Sequence, residues 1–320
     1  MSRVINGTRT VDPEIRARVQ TAVATLGYEP NVAAQNLRSG KTRTIAFEVP
    51  DIAAGPLSTL VLASQAVLSR AGYALVVAAS VADRDREFDF LMRNVAQRVD
   101  GIILTTSADN PALQQALGEL SVPLVFFDRL PIGDNDAVLI AHGQGLSQAL
   151  DYLFGLGHRR IGLVTGTVNS RPASERIRTY KDFLKRVGVK FDPQLIRARG
   201  FDSDDAFVET SALLSGANRP TAIVVGGTSI LPAVVRAIRS KGLDIPKDIS
   251  VIAGADSDLA SLGNPAFSVI RSDYEEVGRA VANMLLDRIE GKAPAGSREV
   301  TFPSEFVVRQ SCQPPPETKC

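Results

Sequence analysis

The sequence predicts an α/β protein with two doubly wound parallel sheets in series, preceded by a short, basic, helical segment. Three observations carry this prediction. From Thr44 onward, short apolar runs without alternation recur between stretches whose apolar residues fall at helical spacing. That is how buried parallel strands and their crossover helices read. The alternation occurs as two successive series, and 320 residues suffice for two cores. The first 43 residues carry seven bases (Arg3, Arg9, Arg16, Arg18, Arg38, Lys41, Arg43) against three acids (Asp12, Glu14, Glu29), a balance of +4, while the remainder has 29 bases and 32 acids, a balance of −3.

The basic segment holds a clear helix start at Asp12-Pro13-Glu14. The Asp side chain can accept from first-turn N–H groups, and Pro fits the first helical position. Ile15, Val19, Ala22, Val23 and Leu26 follow at helical spacing, and Gly27 is placed to cap the end. Tyr28-Glu29-Pro30 breaks the helix, because Pro disfavours helical backbone at the residue before it. Asn31 to Arg38 reads as a second, short helix with Ala34 and Leu37 on one face.

In the first series, strands are expected at 44–49, 74–79, 101–104 and 123–127, with helices near 58–71, 84–97 and 110–119. The second series has helix 143–156, strand 161–165, helix 173–187, a strand near 195–199 and helix 204–215, then strand 221–225, helix 230–240 and strand 249–253. Helix 274–290 and strands 299–302 and 305–310 return to the lobes. Right-handed crossovers turn each series into a doubly wound sheet, and ligands bind such sheets beyond the carboxyl ends of the strands. A cleft between the lobes is the expected binding place.

The composition is that of an ordinary globular chain, 44% hydrophobic and 22% charged. No run of 18 apolar residues occurs, so no membrane partner is expected, and the polar N-terminus has no signal-peptide apolar region. Cys312 and Cys320 lie in or beside a Pro-rich tail and read as reduced thiols of a cytoplasmic protein, with residues 313–320 expected to be disordered. No P-loop, Gly-x-Gly-x-x-Gly, Ser elbow or metal-spaced cluster is present, so neither an enzyme nor a cofactor is expected.

The run Ser2-Arg-Val-Ile-Asn-Gly-Thr-Arg-Thr-Val-Asp-Pro-Glu14, with Leu26-Gly-Tyr-Glu-Pro-Asn31 and Val32–Arg38, resembles the end of the DNA-binding headpiece and the hinge helix of the LacI/GalR family. Family landmarks continue through the body: Val49-Pro50-Asp51-Ile52, Val99-Asp100-Gly101, Asp128-Arg129, Gly157-His158-Arg159-Arg160, Ile245-Pro246-Lys247-Asp248 and Glu305-Phe306-Val307. The resemblance implies a type I periplasmic-binding-protein body, its lobes linked by three crossings, behind a partial helix-turn-helix headpiece at 1–29 and a hinge and linker at 30–43. It places the first lobe at about 44–141 and 271–298 and the second at about 142–270 and 299–312. The implied partners are operator DNA, a small-molecule effector with sugar as the class expected, and a second copy of the chain as a homodimer.

Residue by residue, the resemblance assigns DNA contact to Arg3, Asn6, Asn31, Ala34 and Leu37. Leu37 is the wedge between base steps of the minor groove. The family's bracing helix and most of its recognition helix precede Ser2, so the chain as it stands is expected to bind operator weakly. For the effector it implies Asp51, Asp128, Arg176, Phe201 and Asp256: a guanidinium fork, hydroxyl-accepting carboxylates and a stacking ring. Two family features are replaced, by Gly227-Thr228 after the 221–225 strand and by Ala54-Gly55-Pro56-Leu57 after the first strand. A DNA-blind paralogue that dimerises with intact copies, and a solute-binding protein, remain as alternatives on the same fold.

Overall fold

The computed structural model describes residues 12–26, 41–80, 84–105, 115, 117, 120, 122–199, 203–216, 218–227 and 229–316. The chain divides into two compact units, Met1–Arg43 and Thr44–Cys320. In the first, helix α1 spans Pro13–Thr25 with Asp12 as its cap, the carboxylate accepting from Glu14 N at 2.9 Å and Ile15 N at 3.3 Å. No residue of α1 is buried; Val19 and Val23 are half-covered, while Ile15 and Leu26, expected on the same stripe, are 52% and 74% exposed. The second short helix, the Gly27 cap, and the residues assigned to DNA (Arg3, Asn6, Asn31, Ala34, Leu37) lie outside the described residues.

The second unit has two six-stranded sheets. Strands β1 (Thr44–Val49), β2 (Ala74–Ala79), β3 (Gly101–Leu104), β4 (Leu124–Phe127) and β5 (Asp136–Ile140) belong to the first lobe, with helices α2 (Gly55–Arg70) and α3 (Arg84–Ala96). The second lobe holds α4 (His142–Gly155), β6 (Ile161–Thr165), α5 (Arg171–Arg186), β7 (Ile196–Ala198), α6 (Ser203–Leu214), β8 (Ala222–Gly226), α7 (Leu231–Ser240), β9 (Ser250–Ala253), α8 (Asp258–Leu262) and β10 (Ser268–Arg271). Helix α9 (Tyr274–Ile289) and strand β11 (Glu299–Phe302) return to the first lobe, and β12 (Glu305–Val307) to the second. The sheet orders are β11-β5-β4-β3-β1-β2 and β12-β10-β9-β8-β6-β7. All pairings are parallel except β10 with β12. Strands β3, β4, β5, β6, β8 and β9 are buried along their whole length, as parallel strands covered on both faces must be. The edge strands β2, β7, β11 and β12 are not.

Three expectations are corrected. Residues 299–302 pair with β5, from Glu299 opposite Ala137 to Phe302 opposite Ile140, so they belong to the first lobe and the last crossing falls at 303–304. Strands β5 and β10 were not expected; both are short, and Asp136 and Arg271 interrupt their apolar runs. Gln313, placed in a disordered tail, is held instead: its carbonyl accepts from Ser250 Oγ at 3.0 Å and lies 2.9 Å from His158 Nε2. His158, fully buried, thus ties the tail to the second lobe.

The three crossings lie at 141, 272–273 and 303–304 and are bonded together. Ala141 N donates to Phe302 O at 2.9 Å, Ser304 Oγ donates to Ala141 O at 2.6 Å, and Gly145 N donates to Ser304 Oγ at 2.9 Å. At the far end of the first sheet, Asp136 is fully buried between two arginines. Arg288 binds it through Nε and an η nitrogen at 2.9 and 2.6 Å, and Arg298 through its backbone N, Nε and an η nitrogen at 2.8, 3.1 and 2.7 Å. Burial pushes this carboxyl up, but the arginine bonds outweigh it and hold it below the usual carboxylate range.

Candidate functional site

Loops at the carboxyl ends of β1, β8, β9 and β10 enclose a cleft of about 920 Å³ between the lobes. The first lobe contributes Asp51 to Thr59 and the start of α9 at Asp273 to Glu275. The second contributes Ser229, Pro232 and the 256–261 turn. The position is the one doubly wound sheets dictate, since strand ends leave the loops free to diverge there. Its volume is in the range of small-molecule sites.

The lining has one sign of charge. Asp51, Asp256, Asp258, Asp273 and Glu275 face the cleft, and among the described residues no lysine or arginine lines it. Hydroxyls of Ser58, Thr59, Ser229, Ser257, Ser261 and Ser272 fill the spaces, and Tyr274 is the one ring among the described residues. Two of the five acids are neutralised from behind. Arg309 grips Asp256 with two η nitrogens at 2.9 and 2.6 Å, and Arg279 pairs with Glu275 one helical turn on. Asp51, Asp258 and Asp273 have no basic partner among the described residues. Asp273 caps α9 by accepting from Glu276 N at 2.9 Å, so its charge faces the positive end of a 16-residue helix. Asp51 accepts from Ala53 N at 2.9 Å and from Ser229 Oγ at 2.7 Å. The second of these bonds crosses from one lobe to the other.

Of the residues implied for the effector, Asp51 and Asp256 line the cleft; Phe201 lies outside the described residues. Asp128 and Arg176 are both buried and do not line it. They are joined through His142. His142 Nε2 is 2.6 Å from an Asp128 oxygen, and an Arg176 η nitrogen is 3.0 Å from His142 Nδ1. Arg176 can only donate, so Nδ1 accepts and the proton sits on Nε2, facing the carboxylate. Burial and the guanidinium push the His142 pKa down, against the pull of Asp128, and the ring is neutral. Asp128 is pushed up by burial, but His142, Arg171 and Arg176 together bring it below the usual carboxylate range. The cluster borders the cleft through Tyr274. That ring meets Phe127 edge-on at 6.3 Å, and burial together with the Asp128 charge pushes its phenol pKa up.

His142, Arg171, Ser229 and the 272–273 crossing with the start of α9 are not singled out by the sequence. His142 was one of only two histidines, and it opens a helix directly after an apolar run; that was the available signal.

Two lobes of parallel sheet with a polar cleft at their strand ends define a ligand receptor of the periplasmic-binding-protein type. The comparisons with known proteins agree. A model of the periplasmic binding protein-like domain matches residues 150–312, and the model for bacterial regulatory proteins of the lacI family matches residues 1–31. The HTH-type transcriptional regulator CelR of Thermobifida fusca is 31% identical over 97% of this chain and 93% of its own length. The ribose operon repressor of Escherichia coli is 30% identical over 90% of this chain and 88% of its own. Among solved structures, a CelR–cellobiose complex superposes with a TM-score of 0.76 at 29% identity, covering 97% of this chain and 94% of that one. The lac repressor dimer bound to operator and the anti-inducer ONPF superposes at 0.80 with 26% identity, covering 98% and 94%.

The chain belongs to the LacI family of bacterial regulatory proteins. It is a DNA-binding transcriptional regulator under the control of a small-molecule effector, and the relatives it matches are regulators, not enzymes.

Proposed function

We propose that this regulator senses a neutral, polyhydroxylated effector, a saccharide of one or two rings, in the cleft between its lobes. The lining carries the reading: among the described residues it is carboxylates and hydroxyls without a lysine or arginine. Ionised carboxylates only accept, so they suit a ligand rich in O–H donors and repel phosphates and carboxylates. That the matched relatives include a CelR–cellobiose complex and a ribose operon repressor supports the same class. Asp51 and Asp256 are the proposed hydroxyl acceptors and Tyr274 the ring surface; the role of Phe201 follows from family resemblance alone. Arg3, Asn6, Asn31, Ala34 and Leu37 are the proposed operator contacts.

The regulator is proposed to act in the cytoplasm as a homodimer. Leu62 on α2 and Val76 on the edge strand β2 are 64% and 46% exposed, and they offer an apolar face to a second copy. Effector in the cleft changes the relative posture of the lobes, and through the dimer the pairing of the two hinge segments on DNA. The coupling is reciprocal and of the order of ~1–3 kcal/mol.

Titration calorimetry tests the effector class. Cellobiose, ribose and other neutral saccharides are compared with sugar phosphates and sugar acids. Neutral saccharides are expected to bind, and Asp51→Asn to weaken them roughly 10- to 100-fold, the worth of a charge-assisted hydrogen bond. Binding confined to the phosphates or acids would overturn the reading.

A further inference from the structure

Outside the cleft, one cluster of charged side chains joins the two lobes directly. Asp128 directly follows β4 in the first lobe, in left-handed backbone at φ 55°, a conformation that Asp tolerates better than most residues. Its side chain points at the second lobe. One oxygen accepts from an Arg171 η nitrogen at 2.6 Å, and the other lies 2.6 Å from His142 Nε2. The same Arg171 nitrogen also donates to Ile140 O at 3.0 Å, so the arginine on α5 holds two first-lobe strands at once. On its own helix Arg171 pairs with Glu175 at 3.0 Å, and Glu175 accepts from Gly143 N at 2.9 Å. Gly143 has no room for a side chain, because a Cβ there would lie 2.5 Å from Thr179 Oγ1. The helices α4 and α5 are therefore pressed together just where they carry His142 and Arg171.

We propose that the Asp128 carboxylate, shared between Arg171 and His142, is an inter-lobe clamp that limits how far the two lobes separate. The cluster is closed on itself. Asp128 is 8% exposed and His142 6%, and their bonds are made to each other, to Arg171 and Arg176, and to backbone. A lobe movement that pulled α5 away from β4 would leave a buried carboxylate without its partners, which is costly in a way that an exposed pair is not. The Ser229-to-Asp51 bond, also made between the lobes, sits in the cleft lining where water or ligand can replace it. Movement is thus resisted at the clamp and permitted at the cleft.

The test needs no effector and stands apart from the effector class proposed above. In the full chain, with Cys312→Ser and Cys320→Ser, spin labels are placed through Lys241→Cys in the second lobe and Lys292→Cys in the first, both at exposed positions. Diluting labelled protein into unlabelled protein isolates distances within one chain. Asp128→Asn keeps shape and tolerates the left-handed backbone, and Arg171→Met keeps the aliphatic stem. Each is expected to broaden the inter-lobe distance distribution and lengthen its mean. The double variant should be no broader than either single one, and Arg171→Lys should restore part of the wild-type distribution. Should Asp128→Asn fail to fold, Arg171→Met, at a partly exposed position, carries the test. Distributions superimposable on wild type, or broadening that adds in the double variant, would overturn the clamp.

Discussion

Replacing Asp136 by Ala removes the carboxylate that pins the start of β5 to the segment entering β11. The two strands run on from there to the first and third lobe crossings. The carboxylate is fully buried, while the Arg288 and Arg298 side chains are 19% and 22% exposed. Removing one partner from a buried ion pair typically costs ~3–5 kcal/mol, because the other charge is left behind. Here the arginines can reach some water and keep carbonyl acceptors at Gly296 and Met284, and Arg298 keeps Asp287 at 2.8 Å. The expected loss therefore lies at the lower end, about 3 kcal/mol, or a fall of roughly 6–12 °C in Tm for a domain of this size. Urea unfolding followed by circular dichroism measures it as a lower midpoint at unchanged slope. The triple change Asp136→Leu, Arg288→Met, Arg298→Met removes charge and partners together and should recover most of the loss. If Asp136→Ala stayed within ~0.5 kcal/mol of wild type, the burial penalty would already cancel the bonds and the reasoning would fail.

Further expectations concern packing, the tail and acid. Gly278→Ala in α9 should destabilise by ~1–3 kcal/mol in the same urea assay, because its Cβ would run into Leu60 O and lie 2.9 Å from Ala63 Cβ, and backbone cannot yield as a flexible side chain does. His158→Ala should release the segment around Gln313, read as faster hydrogen exchange at the Ser311, Cys312 and Gln313 amides with the sheet amides unchanged. His142 and His158 both have pKa values pushed below the ordinary 6.5 by burial, so the unfolded chain binds more protons than the native one just below that pH. Stability should be flat in these two groups above about pH 7 and decline as pH falls through 6.5 toward their native values. Asp128 and Asp136, both held below the ordinary 3.8, add a second decline below about pH 4. Melting temperatures across pH 3–8 check both stages, and a protein that grows more stable between pH 7 and 5.5 would contradict the neutral assignment of His142.

Much of the fold was legible because the buried parallel strands are apolar at every position. Ile161–Thr165 and Ala222–Gly226 could be read from unbroken runs, and the helices between them from spacing. What escaped was short or chemically mixed. Strand β5 opens with Asp136, which a sequence reader takes for a loop residue; only the arginines brought by Arg288 and Arg298, far along the chain, make it a strand residue. Strand β1 likewise buries Glu48 completely, and Ser80 Oγ and Thr105 N satisfy it from beyond the neighbouring strands at 2.5 and 3.1 Å. In the cleft, Asp51 and Asp256 could be named in advance from the family resemblance, and both line it. Asp128 and Arg176 could be named but not placed. Their partner is a histidine on the other side of a lobe crossing, and nothing local announces that three such groups will meet.

The Asp51–Ser229 and Asp128 contacts between the lobes differ in what a ligand can do to them, and that difference gives a physical basis for effector control. A hydroxyl entering the cleft can donate to Asp51 or accept from Ser229, replacing their bond with one of similar net worth, so the mouth can change shape with no buried group left unpaired. Asp128 and His142 lie behind Tyr274, out of the lining, and a ligand offers them no substitute. An effector shifts an equilibrium only by its differential affinity for the two states. Such differential affinity is available at the cleft and absent at the clamp. With the clamp proposed above in place, the easy motion would be a tilt about the clamped side, near the bonded crossings at Ala141 and Ser304, and not a separation of the lobes. A tilt of that kind moves the free edge of the first lobe, where β2 exposes Val76 and α2 exposes Leu62, more than it moves β4 and β5. The face proposed for a second copy is thus the face that such a tilt would displace most.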